Sequence, residues 1–321
     1  MSPKDITTFF LEIEKENNLF DWESGGVFVW QLVRTNLFGK ILSAVKQEKI
    51  NYKNDLIGRI FRKRYRVKNI LFYNPFSDKT KSDVLIFESS RYLQLDGKYI
   101  DPYTKFLGDE ILSKKMTLTR YQSNYSVDYL SEKNKNVKHL DYIEAKALSK
   151  AKSISFDFSE GDLSLIKILQ KAFDEYFKIN LDLKDIFLKQ IKYFKAELPY
   201  YQRLLDIKKP KEIFFVDYNS KMAITCAAKE RGIPVTEMQH GLMVSEDIIY
   251  HFPTVKEGGY RYFPDKFILW NDLWRKGSKL PIAEENIIIR ENDFLKVKKS
   301  RYKNISKKKN TILISSQYGL T

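Results

Sequence analysis

The sequence predicts an α/β protein, a Rossmann-like parallel sheet flanked by helices, with a helical extension at the amino terminus. Three observations support this prediction. Short apolar runs that end on polar residues recur along the chain, long segments of helical periodicity separate them, and residues 211–241 form a complete strand–helix–strand pattern. Parallel strands require helical crossovers of this kind, so we expect the strands to join one sheet.

The extension is expected to open with a helix, because Ser2 and Asp5 can form a capping pair ahead of regularly spaced apolar side chains. After a turn at residues 21–26, a second helix is predicted from about Val27 to Lys46. Its broad apolar face is typical of a core-facing helix, and a membrane-surface helix is the alternative. Residues 51–69 are basic and weakly patterned, which predicts a connector.

The first strand of the sheet is predicted at Asp83–Phe87, a short run that ends on polar residues including Glu88 and Arg91. The elements that follow are expected to be a turn-rich segment at 92–102, a helix at 103–114, a strand near 116–119 and long helices over 161–207. Pro199 indicates a kink or a boundary at the end of these helices.

The strand–helix–strand unit comes next. Its elements are a strand at Glu212–Val216, a helix from Lys221 to Arg231 that Ser220 can cap, and a strand at Val235–Met238. Polar tripeptides at residues 217–219 and 239–241 follow the two strands. In open α/β sheets, ligands bind beyond the carboxyl ends of the strands, so the sequence predicts a ligand site there.

Beyond this unit, strands are predicted at Lys266–Trp270 and at 286–290, and the basic residues around 296–310 are typical of an exposed connector. Thr311–Ser316 has the composition of a buried parallel strand, and we expect the sequence to stop just inside a second α/β domain. The predicted division of the chain is an extension at 1–70, a Rossmann-like domain at 71–295, and a linker with the first strand of an incomplete domain at 296–321.

The composition favours a globular cytoplasmic protein. The chain of 321 residues is 43% hydrophobic and 14% aromatic and can bury a sizeable core, but no apolar run approaches the roughly 20 residues that cross a bilayer. The first five residues lack the features of a signal peptide, and the single cysteine, Cys226, can form no internal disulfide.

The net charge of +15 suits phosphate binding, but basic residues are scattered among acidic ones over most of the chain, so we expect no nucleic-acid partner. The densest basic runs are Arg59–Lys68 and Lys296–Lys309. Such runs are typical of solvated faces or linkers. The alternatives are peripheral contact with anionic lipid at the inner membrane surface and attraction of a nucleotide-bearing substrate.

His240 is the first of the predicted catalytic residues. A histidine can act as a general base near neutral pH, and Gly241 allows a sharp turn and close approach to a ligand. Glu237 and Gln239 lie on one face of their strand, and a buried carboxylate near a cleft is a second catalytic candidate. The alternative for His240 is a backbone hydrogen bond at the start of a loop. His251, in an aromatic segment, is a candidate substrate contact.

Strand ends supply the other candidates. Asp217 can serve as a carboxylate base, and Tyr218 and Asn219 can bind ligand hydroxyls, because a strand end holds such groups rigidly. The alternative is that Asp217 or Asn219 caps the following helix. Glu88 can accept hydrogen bonds and Arg91 can bind an anion, or the two can form a surface ion pair.

Several motifs are missing. The sequence contains no Cys/His pattern with zinc spacing, no G-x-x-x-x-G-K-[ST] loop, no G-x-S-x-G elbow and no G-x-G-x-x-G fingerprint. P-loop enzymes, α/β-hydrolases and simple NAD-dependent enzymes are therefore disfavoured. It also contains no Asp-x-Asp pair of the kind that holds a divalent ion on a nucleotide diphosphate, so no metal site is predicted.

Five short segments together are similar to one family; they are Gly26–Arg34, Asp96–Tyr103, Glu237–Gly241, Phe263–Asp265 and Leu269-Trp270. They resemble bacterial cell-surface polysaccharide glycosyltransferases of the two-Rossmann-domain type, the GT-B architecture of capsule and O-antigen assembly. The resemblance implies an acceptor-binding amino-terminal half, with residues 239–241 facing the interdomain cleft. It implies no cofactor, because the nucleotide sugar is a substrate.

The activity implied by the resemblance is metal-independent transfer of a sugar from a nucleotide donor to a glycan or lipid-linked acceptor. A base, for which His240 is the implied residue, deprotonates the acceptor hydroxyl, and positive groups stabilise the departing phosphate. Two alternatives stay open. One is transfer of polyol phosphate units onto wall or capsule polymers, and the other is a non-catalytic remnant that binds a glycan or a partner protein.

Overall fold

The computed structural model describes residues 2–45, 56–89, 91–123, 137–244, 248–255 and 259–302, with side chains from residue 63 onward in the second range. The α-helices in these ranges are α1 (Pro3–Glu16), α2 (Val29–Val45), α3 (Leu56–Phe72), α4 (Lys105–Ser113), α5 (Asp141–Ala151), α6 (Glu160–Phe177), α7 (Leu183–Lys208), α8 (Met222–Lys229), α9 (Asp272–Gly277) and α10 (Asp293–Arg301). The strands are β1 (Glu23–Ser24), β2 (Val27–Phe28), β3 (Val84–Phe87), β4 (Leu93–Leu95), β5 (Lys98–Ile100), β6 (Leu118–Gln122), β7 (Val137–His139), β8 (Glu212–Phe215), β9 (Val235–Met238), β10 (Lys266–Leu269) and β11 (Ile287–Ile289).

A parallel sheet of seven strands, in the order β11-β10-β9-β8-β3-β6-β7, forms the centre of the described structure. Every neighbouring pair is parallel. If the seven strands are numbered along the chain with β3 as the first, their order in the sheet, starting from β7, is 3-2-1-4-5-6-7. This is the doubly wound Rossmann order with one strand added. The predicted α/β class and Rossmann-like sheet are therefore confirmed.

The direction in which strands are added reverses between β3 and β8. From β3 the chain adds β6 and β7 on one side, and after α5, α6 and α7 it returns to the other side of β3 with β8. Phe87 at the end of β3 pairs with Phe215 of β8 and Tyr121 of β6, and Phe215 pairs with Glu237 of β9. The carboxyl ends of these strands therefore share one edge, and the reversal leaves a crevice between β3 and β8.

The amino-terminal extension packs on this layer. The predicted capping pair of α1 is confirmed, because the Ser2 hydroxyl accepts the Asp5 N–H and the Asp5 carboxylate accepts the Ser2 N–H. Helix α2 contacts α7 and buries Trp30, Val33 and Leu37 completely, so it is the core-facing helix that its pattern predicted. Its apolar side chains belong to the same hydrophobic cluster as those of the sheet.

Two expectations about local structure are wrong, and of the two alternatives at Pro199, a kink or a boundary, the boundary is excluded. Residues 51–69 were predicted as a connector, but 56–72 form α3, because Lys and Arg are good helix formers and the apolar residues between them recur at helical spacing. Residues 296–301 belong to α10, where Lys and Arg again favour a helix and the side chain of Asn292 caps its start. Pro199 lies inside α7, where buried residues on both sides, Phe194 and Tyr201 among them, hold the helix in place.

Three further elements go beyond the predicted pattern. The excursion at 92–102 is the antiparallel hairpin β4–β5, whose turn residues Asp96 and Gly97 both have positive φ, as a tight two-residue hairpin requires. Strand β7 and helix α5 were not predicted. The expected strand at Thr311–Ser316 lies outside the described residues, and among those residues no helix has both the length and the apolar character needed to cross a bilayer.

Candidate functional site

A cavity of about 190 Å³, here called the switch-point cavity, lies at the carboxyl ends of β3 and β8. It is lined by Glu88, Ser89 and Arg91 after β3, Tyr103 before α4, Ser123 after β6, Val216, Asp217, Ser220 and Lys221 after β8, and His240 after β9. Ligands of doubly wound proteins bind at this point of the fold. The structure thus brings together four of the predicted site residues, Glu88, Arg91, Asp217 and His240.

His240 lies between the cavity and a buried polar pair. Its Nδ1 is 3.4 Å from the hydroxyl of Tyr250, and that hydroxyl donates to Oε1 of Glu237 at 2.5 Å. Because the Tyr250 proton is directed to Glu237, the phenolic oxygen can accept Nδ1–H of His240. This tautomer leaves Nε2 as the basic nitrogen of the ring. The side chain of His240 is 22% exposed, so the ring can reach a ligand.

The protonation states around His240 follow from burial. Glu237 is completely buried, which raises the pKa of its carboxyl well above the usual range; nearby Asp217 raises it further, and the hydrogen bond from Tyr250 opposes the shift. Burial lowers the pKa of His240, and the charge of Asp217 opposes this. Near neutral pH the imidazole is therefore uncharged, which is the form that accepts a proton.

Asp217 has a backbone conformation that non-glycine residues seldom adopt, with φ of 66°. Its carboxylate accepts a hydrogen bond from Asn219 Nδ2 at 3.3 Å, and Asn219 in turn accepts one from the Thr35 hydroxyl of α2 at 2.9 Å. Neither residue caps α8, and Ser220 does not cap it as predicted. Residues 218–220 instead form a short 3-10 turn in which the Ser220 hydroxyl donates to the carbonyl of Asp217.

Lys221, which the sequence pattern did not single out, is buried at the base of the cavity. Its ammonium donates to the Ser220 hydroxyl at 2.8 Å, and among the described residues no carboxylate lies within ion-pair distance. Burial lowers the pKa of Lys221, while the carboxylates of Asp217 and Glu197 oppose the shift. The available signal was its place at the end of the polar segment after β8, where a charged side chain can face the crevice.

The loop after β3 forms the opposite wall. Glu88 pairs with Arg120 at 2.8 Å, so the alternative of an ion pair between Glu88 and Arg91 is not realised by these two described residues. Arg91 is exposed beside the cavity. Asp101, which was not predicted, accepts the backbone N–H of Ser89 at 2.6 Å and thereby holds the loop. Burial, with a contribution from Glu88, raises the pKa of Asp101 to about 7.

The remaining predicted residues lie outside the lining of this cavity. Gln239 is buried and joins two strand ends, because its Nε2 donates to the carbonyl of Gly241 and its Oε1 accepts the N–H of Trp270, both at 2.8 Å. The hydroxyl of Tyr218 donates to the Ile249 carbonyl. His251 presents its carbonyl to the guanidinium of Arg34 at 2.6 Å. Asn219 lines a neighbouring cavity.

Comparisons with protein-family models, with curated proteins and with solved structures find no match for this chain. In the described ranges, no group of three or more His, Cys, Asp or Glu side chains has the arrangement of a metal site. The site combines an uncharged imidazole, two carboxylates, two cationic side chains and several hydroxyls around one small cavity.

Proposed function

We propose that this chain is a glycosyltransferase, or the acceptor-binding half of one, that moves a sugar from a nucleotide donor to a cell-surface glycan or a lipid-linked acceptor. The observation that carries the proposal is His240, whose uncharged ring borders the switch-point cavity while Tyr250 and Glu237 engage its Nδ1 side. A hydroxyl bound there meets a base that is both neutral and oriented.

In the proposed reaction, Nε2 of His240 takes the proton of the acceptor hydroxyl as that oxygen attacks the anomeric carbon of the donor. The bond from this carbon to the phosphate oxygen breaks, and the electron pair leaves with the nucleotide. The carboxylate of Asp217 stabilises the imidazolium that forms. The cationic side chains of Arg91 and Lys221 stabilise the charge on the departing phosphate.

An aromatic pair supports a sugar as the ligand. Tyr103 lines the cavity, and its ring is nearly parallel to that of Trp270, with a 4° interplanar angle and 6.4 Å between centroids. Aromatic rings offer an apolar face to the C–H face of a sugar while neighbouring hydroxyls and carboxylates bind its polar edge.

The second candidate is transfer of a polyol phosphate unit, and one observation favours it. Arg91 and Lys221 both line the cavity, so a phosphoryl group that is itself transferred would find two cations there. The two candidates differ in the donor that is consumed. A non-catalytic glycan-binding protein, the third possibility, would consume none.

The test is nucleotide release by the full chain from a panel of UDP-, GDP-, dTDP- and CMP-activated sugars and CDP-activated polyols, in the presence of oligosaccharide acceptors. We expect release from a nucleotide sugar, its loss in His240→Ala, and its retention in the matched variant His139→Ala, because His139 lies on β7 outside the cavity. The reaction should slow only below pH 6.5, the usual histidine value, because the pKa of His240 is lowered.

Three results would decide against the proposal. Full activity in His240→Ala would remove the assigned base, and turnover of CDP-activated polyols alone would favour the second candidate. No release from any donor would leave a binding protein as the better description.

We further propose that the protein associates with the inner membrane surface through α3. Lys63, Val67 and Leu71 follow one another at intervals of four residues, and Val67 and Leu71 are 50% and 62% exposed. Exposed apolar side chains beside basic ones are typical of helices that bind anionic lipid.

We expect the protein to cosediment with phosphatidylglycerol vesicles but not with phosphatidylcholine vesicles. Leu71→Ser should weaken this binding, and Leu112→Ser, an exposed leucine of α4, should not; binding that is indifferent to lipid charge would refute the idea.

A further inference from the structure

A second cavity, of about 300 Å³, lies beside the switch-point cavity between α2, α5, α7 and the start of α8. Ser123, Ser220 and Lys221 line both cavities, so the two cavities adjoin at these side chains. Leu148, which also lines the second cavity, is 51% exposed, so the cavity opens at the protein surface on α5. A ligand with two linked units can therefore occupy both cavities at once.

The charged groups of the second cavity have hydrogen-bonding capacity to spare. Glu197 accepts a bond from the Tyr193 hydroxyl at 3.4 Å, a long distance for an O–H donor, and no described residue donates to the carboxylate of Glu144. Lys221 donates to Ser220, and two of its three N–H groups are left for other acceptors. Glu144 and Glu197 are half-buried, so their free acceptors can exchange water for the hydroxyls of a ligand.

Apolar side chains complete the same cavity. Leu32 from α2, Phe194 from α7 and Met222 from α8 face it alongside the polar groups. Sugar rings present hydroxyls at their edges and C–H groups on their faces, and a mixed lining of carboxylates, amides and apolar side chains matches both. Glu144, Glu197 and Lys221 are the charged residues of this lining, and burial raises the pKa of Glu197 to about 7. Carboxylate charge still balances the one ammonium, so no excess positive charge is available to an acidic ligand.

We infer that the second cavity is an acceptor subsite, which binds the sugar ring next to the one that is glycosylated in the switch-point cavity. The inference rests on the proposed function and deepens it. The acceptor is then an oligosaccharide of at least two residues, and the ring in the second cavity is a neutral or amino sugar. Recognition of this ring selects the acceptor and aligns its terminal hydroxyl with His240.

The test measures binding separately from transfer. The full chain is applied to a printed array of neutral, amino and acidic mono-, di- and trisaccharides of bacterial surface glycans. Gln190 is half-buried on α7 and lines the second cavity, so Gln190→Trp fills the cavity with a ring without removing a core side chain. The matched control is Lys189→Trp, at the exposed neighbouring position. Glu197→Gln removes the carboxylate with little change of shape, and melting temperatures verify that each variant folds.

We expect neutral or amino disaccharides to bind at least about tenfold more tightly than the matching monosaccharides, which is the effect of one additional hydrogen bond to a charged group. Gln190→Trp should abolish that difference, Glu197→Gln should reduce it about tenfold, and Lys189→Trp should retain it. Binding of no array glycan, binding that is independent of length, or wild-type binding by Gln190→Trp would overturn the inference.

Transfer distinguishes the two proposals. If nucleotide release proceeds as well with monosaccharide acceptors as with disaccharides, the glycosyltransferase proposal stands and the subsite is wrong. If length-dependent binding is found but no donor is consumed, the second cavity is a glycan site in a protein that does not transfer sugars.

Discussion

Replacement of Glu237 by glutamine tests the protonation state on which the His240 site depends. Glu237 is completely buried. Its Oε1 accepts hydrogen bonds from the hydroxyl of Tyr250 and the backbone N–H of Tyr218, and its Oε2 has no partner among the described residues. Burial raises the pKa of this carboxyl well above the usual value of 4.5. The Glu237→Gln variant keeps the shape of the side chain and removes its ability to ionise.

The sign of the effect follows from proton linkage. Above pH 4.5 the unfolded chain releases the proton of Glu237 while the native state keeps it, so the native state binds more protons and the free energy of unfolding falls as pH rises. The loss is about 1.4 kcal/mol per pH unit until the native pKa is reached. Below pH 4.5 both states are protonated and this destabilisation vanishes. The glutamine of the variant cannot ionise, so the variant does not lose stability in this way at any pH.

Urea unfolding from about pH 5 to about pH 8 measures the effect as the difference between the variant and the wild type. At low pH the variant should be the less stable by about 1–3 kcal/mol, because its new N–H₂ group occupies the position of Oε2, which has no described partner. The difference should then move in favour of the variant by about 1.4 kcal/mol per pH unit. Glu12→Gln, at an exposed position of α1, is the control. A difference that is constant with pH would show that Glu237 is ionised in the native state.

Two further substitutions test the packing around the site. Arg34→Met removes the buried cation that pairs with Glu14, so we expect unfolding free energy to fall by about 3–5 kcal/mol in urea titrations; a loss below about 1 kcal/mol would show that the pair is dispensable. Gly108→Ala places a Cβ where the guanidinium of Arg120 lies, so this group must move away from its buried partner Glu88, and thermal unfolding should show a loss of about 1–3 kcal/mol. Gly39→Ala in α2, where a Cβ meets open space, should instead be neutral or stabilising, and equal effects of the two glycine substitutions would refute the steric argument.

Much of the sheet could be predicted from local sequence. Strands β3, β8, β9 and β10 were expected within one or two residues of their observed bounds, because a parallel strand buried on both faces is a continuous apolar run. Helix α3 was missed because its many basic residues concealed its helical spacing. Strand β7 was missed because it is three residues long, too short for periodicity to be detected.

The site was predicted less completely. Four of the polar residues expected at strand ends line the cavity, whereas Lys221 and Asp101 were not predicted, and the ligand-binding role predicted for Gln239 stays a prediction. The side-chain oxygen of Gln239 accepts a hydrogen bond from the N–H of Trp270, which lies 31 residues away in the chain. Such partners are set by the pairing of β9 with β10, which no local pattern encodes.

The sequence by itself determined where the strands lie and that polar side chains follow them, because apolar runs and their interruptions are local properties of the chain. Only the tertiary structure decided which strand ends meet. The reversal between β3 and β8 joins Glu88 and Arg91 to Asp217 and His240, and packing from distant helices buries Lys221 and Glu237. Burial and adjacency, which shift the pKa values that make the site reactive, arise from contacts between residues far apart in the chain.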